Sequence, residues 1–76
     1  MNNSRRKQIE SVVEKLELLK NEIEMLKDEE QDYFDNMPES FQSGEKGEKA
    51  EAAVSELDNA FDSVDEAINS LNESMQ

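Results

Sequence analysis

A chain of 76 residues that is 34% apolar, with three Phe, one Tyr and no Trp, is one small domain lacking the material for a broad globular core. Twenty acids against eight bases give a net charge of −12, which disfavours direct nucleic-acid binding, because neutralising phosphates needs Lys and Arg; a basic protein surface is the natural complement. The absence of Cys and His removes disulfides, Cys- or His-ligated zinc, thiol nucleophiles and the commonest general base.

With 37% charged residues, the composition fits either disorder or long solvated helices. Periodicity decides for helices. The basic start, Met1 to Lys7, is not followed by an apolar run, and no segment approaches the roughly 18 apolar residues of a membrane span. A soluble, cytoplasmic protein without a membrane partner is expected.

In the first segment Ile9, Val12, Leu16, Leu19, Ile23 and Leu26 follow a 3-4 rhythm that Tyr33 and Met37 extend, with Glu30 the one polar interruption. Asn3 or Ser4 can cap its start, and no Gly or Pro interrupts it before Asp35. The pattern predicts a helix over about 4–35. Asn36, Pro38 and Gly44 are breakers, and Met37 before Pro38 is biased away from helix, so 36–43 reads as a turn. In the second segment Val54, Leu57, Phe61, Val64, Ile68, Leu71 and Met75 repeat without a miss, with Gly47 and Ala50 in phase before them. Ser43 is a candidate N-cap, and Glu45 and Glu48 suit the first turns of a helix over about 44–72.

The expected fold is all-α: residues 1–76 form a single antiparallel two-helix coiled-coil hairpin. In heptad letters with Val54 at a, the two stripes pair Leu26 with Val54, Ile23 with Leu57, Leu19 with Phe61, Leu16 with Val64, Val12 with Ile68 and Ile9 with Leu71, and set Tyr33 over Gly47. In that register Lys27 approaches Glu51 and Lys20 approaches Asp58, all at e positions. So thin a seam is a weak match for the entropy of ordering the chain. Leu18 and Met25 outside the stripe, and the small residues Ala53, Ala60 and Ala67 at successive g positions, are candidate oligomer contacts, predicting a dimer of hairpins in a four-helix bundle.

Glu48, Glu51, Asp58, Asp62 and Asp65 run along one flank of the second helix and are the candidate partner-binding face. Two readings stand. The face docks a basic protein, occupying a nucleic-acid-binding site as a DNA mimic, or it is an ordinary solvated helix surface. Adjacent acids rise about 5 Å, against one charge per about 1.7 Å of duplex DNA, so mimicry would be approximate. No metal site is expected: residues 58–66 are heptad helix rather than a calcium loop, and di-iron bundles need Glu-x-x-His. Residues 43–49, Ser-Gly-Glu-Lys-Gly-Glu-Lys, lack the Gly-Lys-Ser/Thr of a phosphate loop and follow no strand.

Tyr33, Phe34, Met37, Pro38 and Phe41 cluster at the closed end. They read as a plug over the last seam layer or as an anchor for a partner, with Phe34 the candidate spare ring. The Arg5-Arg6-Lys7 tip is a weak candidate for an anionic surface. No nucleophile–base pair and no pocket-forming architecture are present, so no enzyme and no cofactor are expected.

Residues 28–51 contain Asn36-Met37-Pro38-Glu39, then Phe41-Gln42, then an acidic Ala-rich heptad helix. This stretch resembles small acidic proteins of phages and mobile elements of Gram-positive bacteria, across about two-thirds of the chain. The resemblance implies a helical hairpin, a defined turn at Asn36, Met37, Pro38, Glu39 and Gln42, and a phage protein acting inside a bacterial host cell. It implies no activity. Two functions follow as expectations: a protein–protein interaction module that modulates a basic or nucleic-acid-binding host protein, or an assembly protein acting mainly by self-association.

Overall fold

A computed structural model describes all 76 residues. The chain is helical throughout, with no strand: α1 spans Asn3–Asp35, α2 spans Glu39–Gln42 and α3 spans Glu45–Ser74. The long helices run antiparallel in a rod of 58 × 15 × 12 Å. Contacts far apart in sequence fix this direction: Lys27 reaches Asp58, Lys20 reaches Asp65, and Arg6 Nε donates to the Met75 carbonyl at 3.2 Å. No helix is long and apolar enough to cross a membrane.

The ends of the elements differ in detail from expectation. Asn2, not Asn3 or Ser4, caps α1, its side chain accepting from the Arg5 amide at 2.7 Å. Ser43 does not cap α3. Its hydroxyl donates to the Glu39 carbonyl, closing α2, and Gly44 begins α3 with no side-chain cap. At the open end, Arg6 is half-buried and satisfies the carbonyl of Met75, the C-cap residue of α3, where a cation also complements the helix dipole. That guanidinium is committed to the hairpin rather than to an anionic surface.

The 36–43 connection is more ordered than a plain turn. Pro38 leads into α2, its carbonyl accepting from Phe41 and Gln42. Asn36 Nδ2 donates to the Asp32 carbonyl, and Gln42 Nε2 donates to the Phe34 carbonyl at 3.0 Å, each adding a second donor to a carbonyl that the Asn36 and Met37 backbone amides already reach at the end of α1. Gly47 lies against this turn. A Cβ built on it would overlap the Gln42 carbonyl group and lie 2.6 Å from Gln42 Cα. Gly47 therefore admits the backbone of α2, and Tyr33, expected above it, is instead exposed.

The seam of α3 is the expected one. Gly47, Ala50 and Ile68 are buried and Val54, Leu57, Phe61, Val64, Leu71 and Met75 are half-buried. The seam of α1 is not. Its covered residues are Ile9, Val13, Leu16, Lys20, Ile23, Lys27, Glu30, Phe34 and Met37, the a and e columns instead of a and d. The cause lies at Phe61, whose ring centre is 5.2 Å from Lys20 Nζ and 5.9 Å from Lys27 Nζ. Both ammonium groups lie over that ring while donating to carboxylates on α3. A ring flanked by Lys20 and Lys27 is level with Ile23, the residue midway between them, whereas the apolar stripes alone set it level with Leu19. Equal steps along the two helices, seven residues one way and eleven the other, set Leu16 level with Ile68 and Phe34 level with Ala50.

Only Ala50 and Ile68 among apolar residues are fully enclosed, at 2% and 3% exposure. Eight large apolar side chains are exposed, among them Val12, Leu19 and Leu26, which the stripe pattern had assigned to the seam. The rod is held along its whole length, but shallowly.

Candidate functional site

The a/e packing of α1 gives the hairpin two unlike faces. On one, Lys20 and Lys27 bridge the helices, Lys20 Nζ 2.9 Å from Asp65 and Lys27 Nζ 3.1 Å from Asp58. The e-to-e geometry is the expected one, displaced by a heptad: Asp65 and Asp58 are the partners, not Asp58 and Glu51. Both lysines are largely covered, with side chains 19% and 28% exposed. The pKa of Lys20 is raised above its ordinary value, chiefly by the hydrogen bond to Asp65, with desolvation opposing. That of Lys27 is raised mainly by the hydrogen bond and charge of Asp58.

Two of the five acids on the candidate docking flank, Asp58 and Asp65, are thus engaged inside the hairpin. Glu48, Glu51 and Asp62 are exposed. Across the lysine ladder, Glu10, Glu17 and Glu24 stand at heptad spacing on α1 and are also exposed. Because e and b positions of both helices point to one side of an antiparallel pair, these six carboxylates share the ladder's face in two staggered rows, the α1 row toward the open end and Glu48 and Glu51 toward the closed end. Glu17 lies 3.9 Å from Lys20. The sequence reading missed the α1 row, although Glu10, Glu17 and Glu24 at seven-residue spacing were its visible signal. No group of three or more acids is close enough to hold a metal ion.

The opposite face carries the d column of α1, namely Val12, Leu19, Leu26 and Tyr33, each 43–54% exposed. Beside it runs the g column of α3, where Ala53 and Ala60 are half-buried and Ala67 is exposed. Leu18 and Met25, at c positions, are 68% and 54% exposed, and they project away from α3 rather than alongside its alanines. The five proposed oligomer contacts are therefore not one surface: the alanines share theirs with Val12, Leu19, Leu26 and Tyr33.

At the closed end the aromatic cluster splits. Phe34 and Met37 are half-buried and plug the seam, while Tyr33, Pro38 and Phe41 are exposed, so Phe34 is not the spare ring. Lys46 Nζ sits 5.3 Å from the centre of the Phe41 ring. Tyr33, Asn36, Met37, Pro38, Phe41 and Lys46 surround a hollow of about 390 Å³. A larger one of about 670 Å³, lined by Phe34, Glu39, Ser40, Gln42, Ser43 and Glu51, is mostly polar. In the larger hollow the Ser43 hydroxyl donates to the Glu39 backbone carbonyl. Comparison with protein-family models, with curated proteins and with solved structures finds no match to this chain.

Proposed function

We propose that the chain is a non-enzymatic protein–protein interaction module that binds a basic partner, of the kind that itself binds nucleic acid, through the carboxylate rows of one face. The supporting observation is that Glu10, Glu17 and Glu24 on α1, toward the open end, and Asp62, Glu51 and Glu48 on α3, running to the closed end, are all exposed, while the cations of that face are held by Asp58 and Asp65. Such a field steers and selects a cationic surface.

The test is a pull-down from cell lysate with the wild type and with a variant carrying Glu10→Gln, Glu17→Gln, Glu24→Gln, Glu48→Gln, Glu51→Gln and Asp62→Asn. Asp58 and Asp65 are left intact so that the hairpin keeps its ladder. Wild type should retain a basic protein that duplex DNA displaces and the variant should not. Equal retention by both would refute the acidic face as the docking surface.

A second function, self-association into a four-helix bundle, is favoured by a different observation: Val12, Leu19, Leu26 and Tyr33 lie outside the hairpin's own seam. Sedimentation equilibrium reads it directly, a folded monomer at micromolar concentration counting against it.

A further inference from the structure

An exposed apolar row beside a row of small residues, on one side of one molecule, is self-complementary. Val12, Leu19, Leu26 and Tyr33 are spaced seven apart along about 30 Å of α1, and Ala53, Ala60 and Ala67 are spaced seven apart along α3. With Ile23 level with Phe61, Leu19 falls in height between Ala60 and Ala67, and Leu26 between Ala53 and Ala60. Large residues on one helix are thus interleaved with small ones on the other. We propose that a second copy of this chain covers this face, each α1 lying over the α3 of the other copy, with both turns at the same end of a four-helix bundle. This arrangement rests on the self-association reading above and adds the face, the pairing and the polarity.

Three observations select a second copy over an unrelated occupant. The first is area. The exposed surface is 5592 Å², whereas surface scaling for a compact 8.7 kDa chain gives about 4,700 Å². The difference, about 900 Å², matches the roughly 800 Å² per partner of a standard interface.

The second observation is charge. Two copies of a chain with net charge −12 repel unless they meet where acids are missing. The Val12–Tyr33 row and the alanine row themselves contain none; Lys15, Glu22 and Glu29 border the first, and Lys49, Glu56, Ser63 and Ser70 border the second, so acids stand only at the rim of this face. The acids of the lysine-ladder face point the other way, so a bundle of this kind displays two acidic faces outward.

The third is shape. Another helix approaches most closely over small side chains, and the alanine row lies beside the longest row of large exposed side chains at heptad spacing, four residues against the two of Leu18 and Met25. The two-fold operation brings one over the other twice, as an isologous interface requires.

The test compares the intact chain with three variants by sedimentation equilibrium and far-ultraviolet circular dichroism. Wild type should be a dimer at about 10–100 μM, with a melting temperature that rises with concentration. Leu19→Glu with Leu26→Glu should weaken the dimer about a hundredfold or more while leaving helicity unchanged, since both positions lie outside the hairpin seam. Leu18→Glu with Met25→Glu should leave the dimer intact. Should the first variant lose its helix, Ala67→Lys, at an exposed site of the same face, must still dissociate the dimer. A folded wild-type monomer would overturn both the association and this arrangement. A dimer that survives Leu19→Glu/Leu26→Glu, or that breaks with Leu18→Glu/Met25→Glu, would keep the association and overturn the arrangement.

Discussion

Replacing Gly47 with Ala sets two effects of opposite sign against each other. In a helix interior the change from Gly to Ala gains roughly 1 kcal/mol from backbone entropy and propensity. Here the added methyl overlaps the Gln42 carbonyl group, a piece of backbone that cannot rotate aside. Overpacking of this kind costs roughly 1–3 kcal/mol. Displacing α2 also strains the Gln42 Nε2 bond to the Phe34 carbonyl, worth about 1 kcal/mol. The net expectation is a loss of about 1–3 kcal/mol, a fall in melting temperature of roughly 5–20 °C for a domain of this size. Thermal melting followed by far-ultraviolet circular dichroism measures it. Gly44→Ala is the control: its Cβ would sit 3.4 Å from the Ser40 carbonyl oxygen and 3.7 Å from that of Phe41, an ordinary contact. That control should cost only the weaker N-cap preference of Ala, about 0.5 kcal/mol. An unchanged or raised melting temperature for Gly47→Ala would refute the seating of α2 on α3.

Three further outcomes follow. Ile68→Ala removes the one large aliphatic side chain that is fully enclosed and should cost about 2–4 kcal/mol in urea unfolding, whereas Leu18→Ala, at an exposed site, should stay within about 0.5 kcal/mol. Gln42→Ala removes the side-chain donor to the Phe34 carbonyl, which keeps only the Met37 amide, and should cost about 0.5–1 kcal/mol, with faster amide exchange at the end of α1 as its local signature. The folded-state pKa values of Lys20 and Lys27 are raised, so their contribution is complete below the ordinary lysine value of 10.5 and declines as pH climbs through the raised values. Wild type should therefore lose more stability above about pH 10.5 than Lys20→Met/Lys27→Met; parallel pH profiles would contradict this reading of the ladder.

The two long helices and their antiparallel return were legible because α3 carries a single unbroken apolar stripe and the breakers between Asn36 and Gly44 are dense. The phase of α1 was not legible for a specific reason. The a column, Ile9, Leu16 and Ile23, belongs equally to an a/d stripe with Val12, Leu19 and Leu26 and to an a/e stripe with Val13, Lys20, Lys27 and Phe34. Counting apolar residues favours the first. Lysine ammonium groups over Phe61, which no hydropathy pattern records, accompany the second. The acidic face was half legible: its α3 members were recognised, but two of them belong to ion pairs and the α1 row went unread. The ordered turn was visible only as breakers, because α2 depends on where the Gln42 and Asn36 side chains send their hydrogen bonds.

The lysine ladder has a mechanical consequence. Glu51, Asp58 and Asp65 are equivalent rungs seven residues apart, so sliding one helix by a heptad, about 10 Å, would let Lys20 and Lys27 re-form the same kind of ion pairs with Asp58 and Glu51. Electrostatics alone tolerates either position, as a ratchet tolerates any tooth. What stops the slide is the pawl at the closed end, where Gly47 admits the Gln42 backbone and Gln42 holds the last carbonyls of α1. The length of this rod, and the stagger between its two carboxylate rows, are set by one glycine and one glutamine rather than by the charges between the helices.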